Sequence, residues 1–79
     1  MLTDYLAASM RRAEYELLPA GTWWARVPGF KGLWAEGSSQ DECRAELASA
    51  LEDWVLFSLR RQRPVPIVDG IDLAVTEIA

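Results

Sequence analysis

The stretch from Ser38 to Pro64 constrains this 79-residue chain more than any other. Ser39 followed three positions later by Glu42 is a capping box, in which each side chain satisfies a free backbone donor of the other residue. Asp41 and Glu42 suit the positive end of a helix dipole. Cys43, Leu47, Ala50, Leu51, Trp54 and Ser58 then recur at spacings of three and four, the stripe of an amphipathic helix. Arg60, Arg61 and Arg63 complement the negative end, and Pro64 forbids continuation. One helix over about residues 40–62 follows, and the rest of the chain must fold against it.

The remaining segments are short. Thr3 can cap a helix running to about Arg12, with Leu2, Tyr5, Leu6 and Met10 along one side. Glu14 to Leu18 is compatible with a strand, Pro19-Ala20-Gly21-Thr22 with a turn, and Thr22 to Val27 with a second strand. Pro28-Gly29 ends that strand, and Leu33 to Glu36 gives a third, ended by Gly37. Such close spacing favours an antiparallel meander. After the extended Pro64-Val65-Pro66, the alternation of Ile71, Leu73 and Val75 predicts a final strand. The expected architecture is a single α+β domain over residues 1–79, with element order helix, three strands, long helix, strand.

Composition narrows the chemistry. Histidine is absent and Cys43 is the one cysteine, which removes the commonest general base and metal ligand and any disulfide within the chain. At the first turn of the long helix, Cys43 fits the apolar stripe and reads as a core residue more readily than as a nucleophile. Asp41-Glu42 is explained by capping, and Glu52-Asp53 by the solvated side of the helix. Gly29 and Gly32 do not make a phosphate loop. No catalytic residue, metal ligand or cofactor site is expected. The net charge of −4 disfavours nucleic acid and favours a basic protein partner. Arg60-Arg61-Gln62-Arg63, the basic cluster, reads first as a dipole complement. The longest apolar cluster, Trp54 to Phe57, is far short of the roughly 20 residues that span a bilayer. The arginines of the N-terminus follow its apolar stretch, the reverse of a signal peptide. The expected location is the cytoplasm.

An apolar surplus remains. One long helix covers one face of a sheet, yet Trp23 and Trp24, adjacent in a strand, must point to opposite faces. Val55, Leu56 and Leu59 depart from the helix stripe. Either the N-terminal helix covers the second face, or an apolar patch is left for another polypeptide, including a second copy in a dimer or tetramer. On the second reading the interface residues are Trp23, Trp24, Trp34, Val55, Leu59 and Arg61, aromatic and arginine anchors among them.

From Val27 to Ile67 the chain resembles the HicB-like antitoxin family. The resemblance rests on Phe30-Lys31-Gly32-Leu33, Gly37-Ser38-Ser39-Gln40-Asp41-Glu42-Cys43, Ala50-Leu51-Glu52-Asp53-Trp54 and Pro64-Val65-Pro66, in that order and spacing. Lys31 stands where the family usually has proline. The resemblance implies a partial ribonuclease-H-like sheet, β-β-β-α-β, preceded here by an extra N-terminal helix. It further implies a partner: a small basic HicA-type toxin that cleaves mRNA and is neutralised by being covered. The C-terminal DNA-binding segment of many such antitoxins has no counterpart here, so direct DNA binding is not expected. Two other readings stay open. One is a stand-alone homo-oligomer without a toxin. The other is a degraded ribonuclease-H-type nuclease, for which Glu14, Glu16 and Asp72 are the strand carboxylates.

Overall fold

A computed structural model describes residues 2–73. The elements are helix α1 (Leu2–Arg11), strands β1 (Glu14–Leu17), β2 (Trp23–Arg26) and β3 (Trp34–Gly37), and helix α2 (Gln40–Arg60). The three strands form an antiparallel meander in the order β1-β2-β3. Tyr15 pairs with Ala25 and Ala25 with Ala35, while Glu16 pairs with Trp24 and Trp24 with Glu36. Because side chains alternate along a strand, this register sorts the residues into two faces. Tyr15, Trp23, Ala25 and Ala35 share one, and Glu14, Glu16, Trp24, Arg26, Trp34 and Glu36 share the other.

Both helices pack on the first face. The core joins Ala25, Val27, Leu33 and Ala35 of the sheet side to Tyr5 and Ala8 of α1 and to Cys43, Leu47, Leu51 and Val55 of α2. The buried residues of α2 thus follow an unbroken four-residue ridge before ending at Ser58. Val55, expected on an outer side of the helix, lies on this ridge at 0% exposure, while Ala50 and Trp54 flank it half-buried. Close approach at the start of α2 depends on Gly37, where a Cβ would lie 2.6 Å from the Cys43 backbone nitrogen.

The start of α2 is capped nearly as expected. Ser39 Oγ accepts from the Glu42 backbone N–H at 3.1 Å. The Glu42 carboxylate, however, reaches past Ser39 to Ser38, accepting from its N–H and its hydroxyl, both at 3.0 Å. Two donors on Ser38 outweigh the single one on Ser39, and they hold the Glu42 carboxyl below its usual range. Cys43 is a core thiol: its Sγ donates to the Ala35 carbonyl at 3.7 Å, and burial pushes its pKa up.

Two further anchors tie the ends of the described chain together. Tyr5, at 0% exposure, donates its hydroxyl to the Pro66 carbonyl. Beyond it, Val68 and Ile71 bridge each other around a turn whose Asp69 accepts from Arg12 at 2.6 Å and from Arg11 at 3.4 Å. The expected last strand lies partly outside the described residues. Its described part contributes Ile71 to this turn and Leu73 to the core.

Burial, with the charge of Asp72 second, pushes the Tyr5 hydroxyl up to about 12. The unfolded chain ionises this phenol near 10, so the folded chain keeps a proton that the unfolded one gives up. The stabilisation is therefore complete below pH 10 and drains away as pH climbs towards 12. Denaturant midpoints should fall across this window, and Tyr5→Phe should flatten the fall while lowering stability at neutral pH by about 1 kcal/mol. Equal slopes for the two proteins would rule the Tyr5 contribution out.

Candidate binding face

The second face of the sheet carries no helix. On it Trp34 is 55% exposed and Trp24 half-buried, diagonal neighbours on adjacent strands. Around them stand the exposed carboxylates of Glu14, Glu16 and Glu36. Arg26 is placed opposite Glu14 by the register, and its guanidinium donates to Glu14 Oε1 at 3.0 and 3.1 Å. Glu36 accepts from the Thr22 hydroxyl at 3.2 Å. The face combines flat apolar rings with a surplus of negative charge, a surface suited to an arginine- or lysine-bearing partner.

The expected interface residues divide. Trp24 and Trp34 lie together on this face. Trp23 lies on the opposite face, half-buried, beside its cross-strand neighbour Leu17. Leu59 is half-buried against the core. Val55 is not available to a partner at all: the ridge of α2 turns it inward. Arg61 is exposed at the end of α2, where its guanidinium lies 4.8 Å from the centroid of Phe57, with Arg63 at 5.6 Å.

Phe57 does not stand out in the sequence, although it is 46% exposed. It lines a groove with Leu33, Trp34 and Trp54 at the side of β3. The groove floor is held by an aromatic chain. Trp54 donates its indole N–H to the Lys31 carbonyl at 3.1 Å and meets Phe30 edge-on at 5.0 Å, and Phe30 meets Tyr5 at 6.2 Å. These contacts fix the Phe30–Leu33 loop, in which Gly32 adopts positive φ, as does Gly29 just before it.

The carboxylates Glu14, Glu16 and Asp72 do not converge. The first two lie on the open face, while Asp72 acts on Tyr5 at the helix side. Among the described residues no three histidine, cysteine or carboxylate side chains are grouped to hold a metal ion, and no helix is long and apolar enough to cross a membrane.

Two helices on one face of a short antiparallel sheet, with an aromatic and acidic face left open, define a small α+β domain with a binding-type surface. The chain belongs to the UPF0150-like family, whose model matches residues 4–66. It is similar to the crystal structure of TTHA0281 from Thermus thermophilus, with 42% identity and a TM-score of 0.83 over 90% of this chain and 89% of that one. None of the curated proteins matches it.

Proposed function

We propose that this chain is a HicB-like, antitoxin-type binding module that neutralises a small basic, RNA-cleaving toxin by covering it. The observation that carries the reading is the open sheet face, where exposed Trp34 and half-buried Trp24 stand among Glu14, Glu16 and Glu36. Arginine and lysine side chains of a nucleic-acid-cleaving protein would stack on the rings and pair with the carboxylates, so the groups that draw RNA to the toxin would be consumed. UPF0150-like membership and the ordered motifs from Phe30 to Pro66 support the same reading. In this reading the sheet is a partial ribonuclease-H-like one completed by a fourth strand, the protein acts in the cytoplasm, and it performs no catalysis.

The test is to add the chain in stoichiometric amount to a small basic RNA-cleaving protein of the HicA type, taken from beside its own gene. Cleavage should stop. Trp24→Ala combined with Glu16→Lys should weaken the inhibition by about a hundredfold, given about 1–2 kcal/mol from each site. Undiminished cleavage with the wild-type chain present would end the antitoxin reading.

A further inference from the structure

We propose that the groove at the C-terminal end of α2 binds single-stranded nucleic acid, holding one backbone phosphate among Lys31, Arg61 and Arg63 and one base against Trp54 and Phe57. The groove offers about 410 Å³ and is lined by Lys31, Trp54, Phe57, Ser58, Arg63 and Pro64. That volume is in the range of small-ligand sites. None of these residues lies on the open sheet face, so the site does not depend on the antitoxin reading.

The chain as a whole is acidic, but its cations are unevenly spread. Of the eight, Lys31, Arg60, Arg61 and Arg63 gather at this end of the molecule. Arg11, Arg12 and Arg26 are engaged by Asp69 and Glu14. Among the described residues, by contrast, no carboxylate pairs with Lys31, Arg61 or Arg63. Capping the helix does not account for their placement either. The backbone N–H groups of Arg61, Gln62 and Arg63 already donate to the Phe57, Leu59 and Ser58 carbonyls, at 3.1, 3.1 and 2.8 Å. The last turn therefore needs no side-chain donor. Both guanidiniums lie instead over the Phe57 ring, 4.8 and 5.6 Å from its centroid.

Backbone strain holds this arrangement. Gln62 takes a φ of 57°, the left-handed conformation that usually falls to glycine just past a helix end. The turn it makes returns Arg63 to Phe57, which Arg61 already covers. Non-glycine residues in this conformation are concentrated at functional sites. Trp54 fixes the remaining cation: its indole N–H donates to the Lys31 carbonyl at 3.1 Å, which keeps Lys31 in the same groove as Arg63.

The chemistry of the groove selects the occupant. Planar guanidinium forks match phosphate oxygens, and a lysine ammonium adds a point charge. Ring surfaces beside such cations favour nucleic acid over an acidic peptide, because every base has a flat face to stack and a run of carboxylates has none. Asp53 lines the adjoining groove on the Trp34 side, which confines the phosphate to the side of Lys31 and Arg63.

Fluorescence anisotropy of a labelled hexameric oligoadenylate should report binding to the intact chain. The logarithm of the affinity should fall against that of the salt concentration with a slope of about −2, for three cations on a single strand. Arg61→Ala with Arg63→Ala should weaken binding by about tenfold or more and bring the slope to about −0.7. Phe57→Ala should weaken it by about fivefold or more, with an unchanged circular dichroism spectrum. Arg44→Ala removes an exposed charge near the other end of α2 and should change the affinity by less than about twofold. Absence of binding at about 50 mM salt would overturn the proposal. So would indifference to Phe57→Ala, or an Arg44→Ala loss as large as that of the arginine pair, which would mean diffuse attraction. A hexaglutamate peptide that binds as tightly as the oligonucleotide would overturn it in favour of an acidic-peptide site.

Discussion

Replacing Gly37 with valine is expected to cost about 3 kcal/mol or more. A Cβ at this position would lie 2.6 Å from the Cys43 nitrogen, 2.9 Å from the Cys43 Cα and 3.1 Å from the Glu42 carbonyl carbon. All three are backbone atoms, so no rotamer change relieves the contact. The first turn of α2 would have to move, and its cap holds it in place through Ser38, Ser39 and Glu42. Overpacking in a compliant core costs about 1–3 kcal/mol, and a rigid site exceeds that. Against the roughly 5–15 kcal/mol that stabilises a domain, with one this small near the bottom of the range, the loss is a large fraction of the total. Gly37→Ala carries the same first carbon, so it should show most of the effect in a urea titration. A Gly37→Ala midpoint equal to wild type would show that α2 does not approach β3 so closely.

Leu51→Ala is expected to cost about 2–5 kcal/mol, through lost burial and the cavity left behind. Leu51 is fully buried at the middle of the α2 ridge, with Leu47 and Val55 one step on either side. In a domain of this size about 1 kcal/mol shifts Tm by roughly 4–8 °C, so a fall of about 10 °C or more should appear in thermal melts. Leu56→Ala is the matched comparison. Leu56 is exposed, and its removal should stay within about 0.5 kcal/mol of wild type. Similar losses at the two positions would mean that α2 is rotated away from the orientation described.

How far the sequence disclosed this molecule depended on the range of the interactions involved. The bounds of α2 were legible because Ser39, Glu42 and Pro64 act on their own backbone. So was the meander, whose turns sit between short β-compatible runs. The rotation of α2 was not. Ala50 and Trp54 satisfy helical spacing as well as Val55 does, and the choice rests on the angle at which the helix meets the sheet. Spacing alone therefore leaves Val55 undecided: it was expected on an outer side, and the structure buries it. The neighbours Trp23 and Trp24 disclosed that one ring had to leave the helix side, whereas identifying Trp24 as that ring required the register against Glu16 and Glu36. Phe57 was hidden within an apolar run, and its exposure follows from where the ridge passes. Glu42 was expected on Ser39 and chose Ser38, since the second hydroxyl lies within reach once the chain bends after Gly37.

The clasp formed by Tyr5 with Pro66, and by Arg11 and Arg12 with Asp69, has a consequence for how the chain is made. Tyr5 and Pro66 are 61 positions apart. On the ribosome α1 emerges first, and the carbonyl it needs is made only after the meander and α2 have been synthesised. Contacts of such sequence separation must wait for the intervening chain, and they slow the closing step. The earliest-made segment is thus among the last to settle, and until it does, Phe30 lacks the ring that packs edge-on against it.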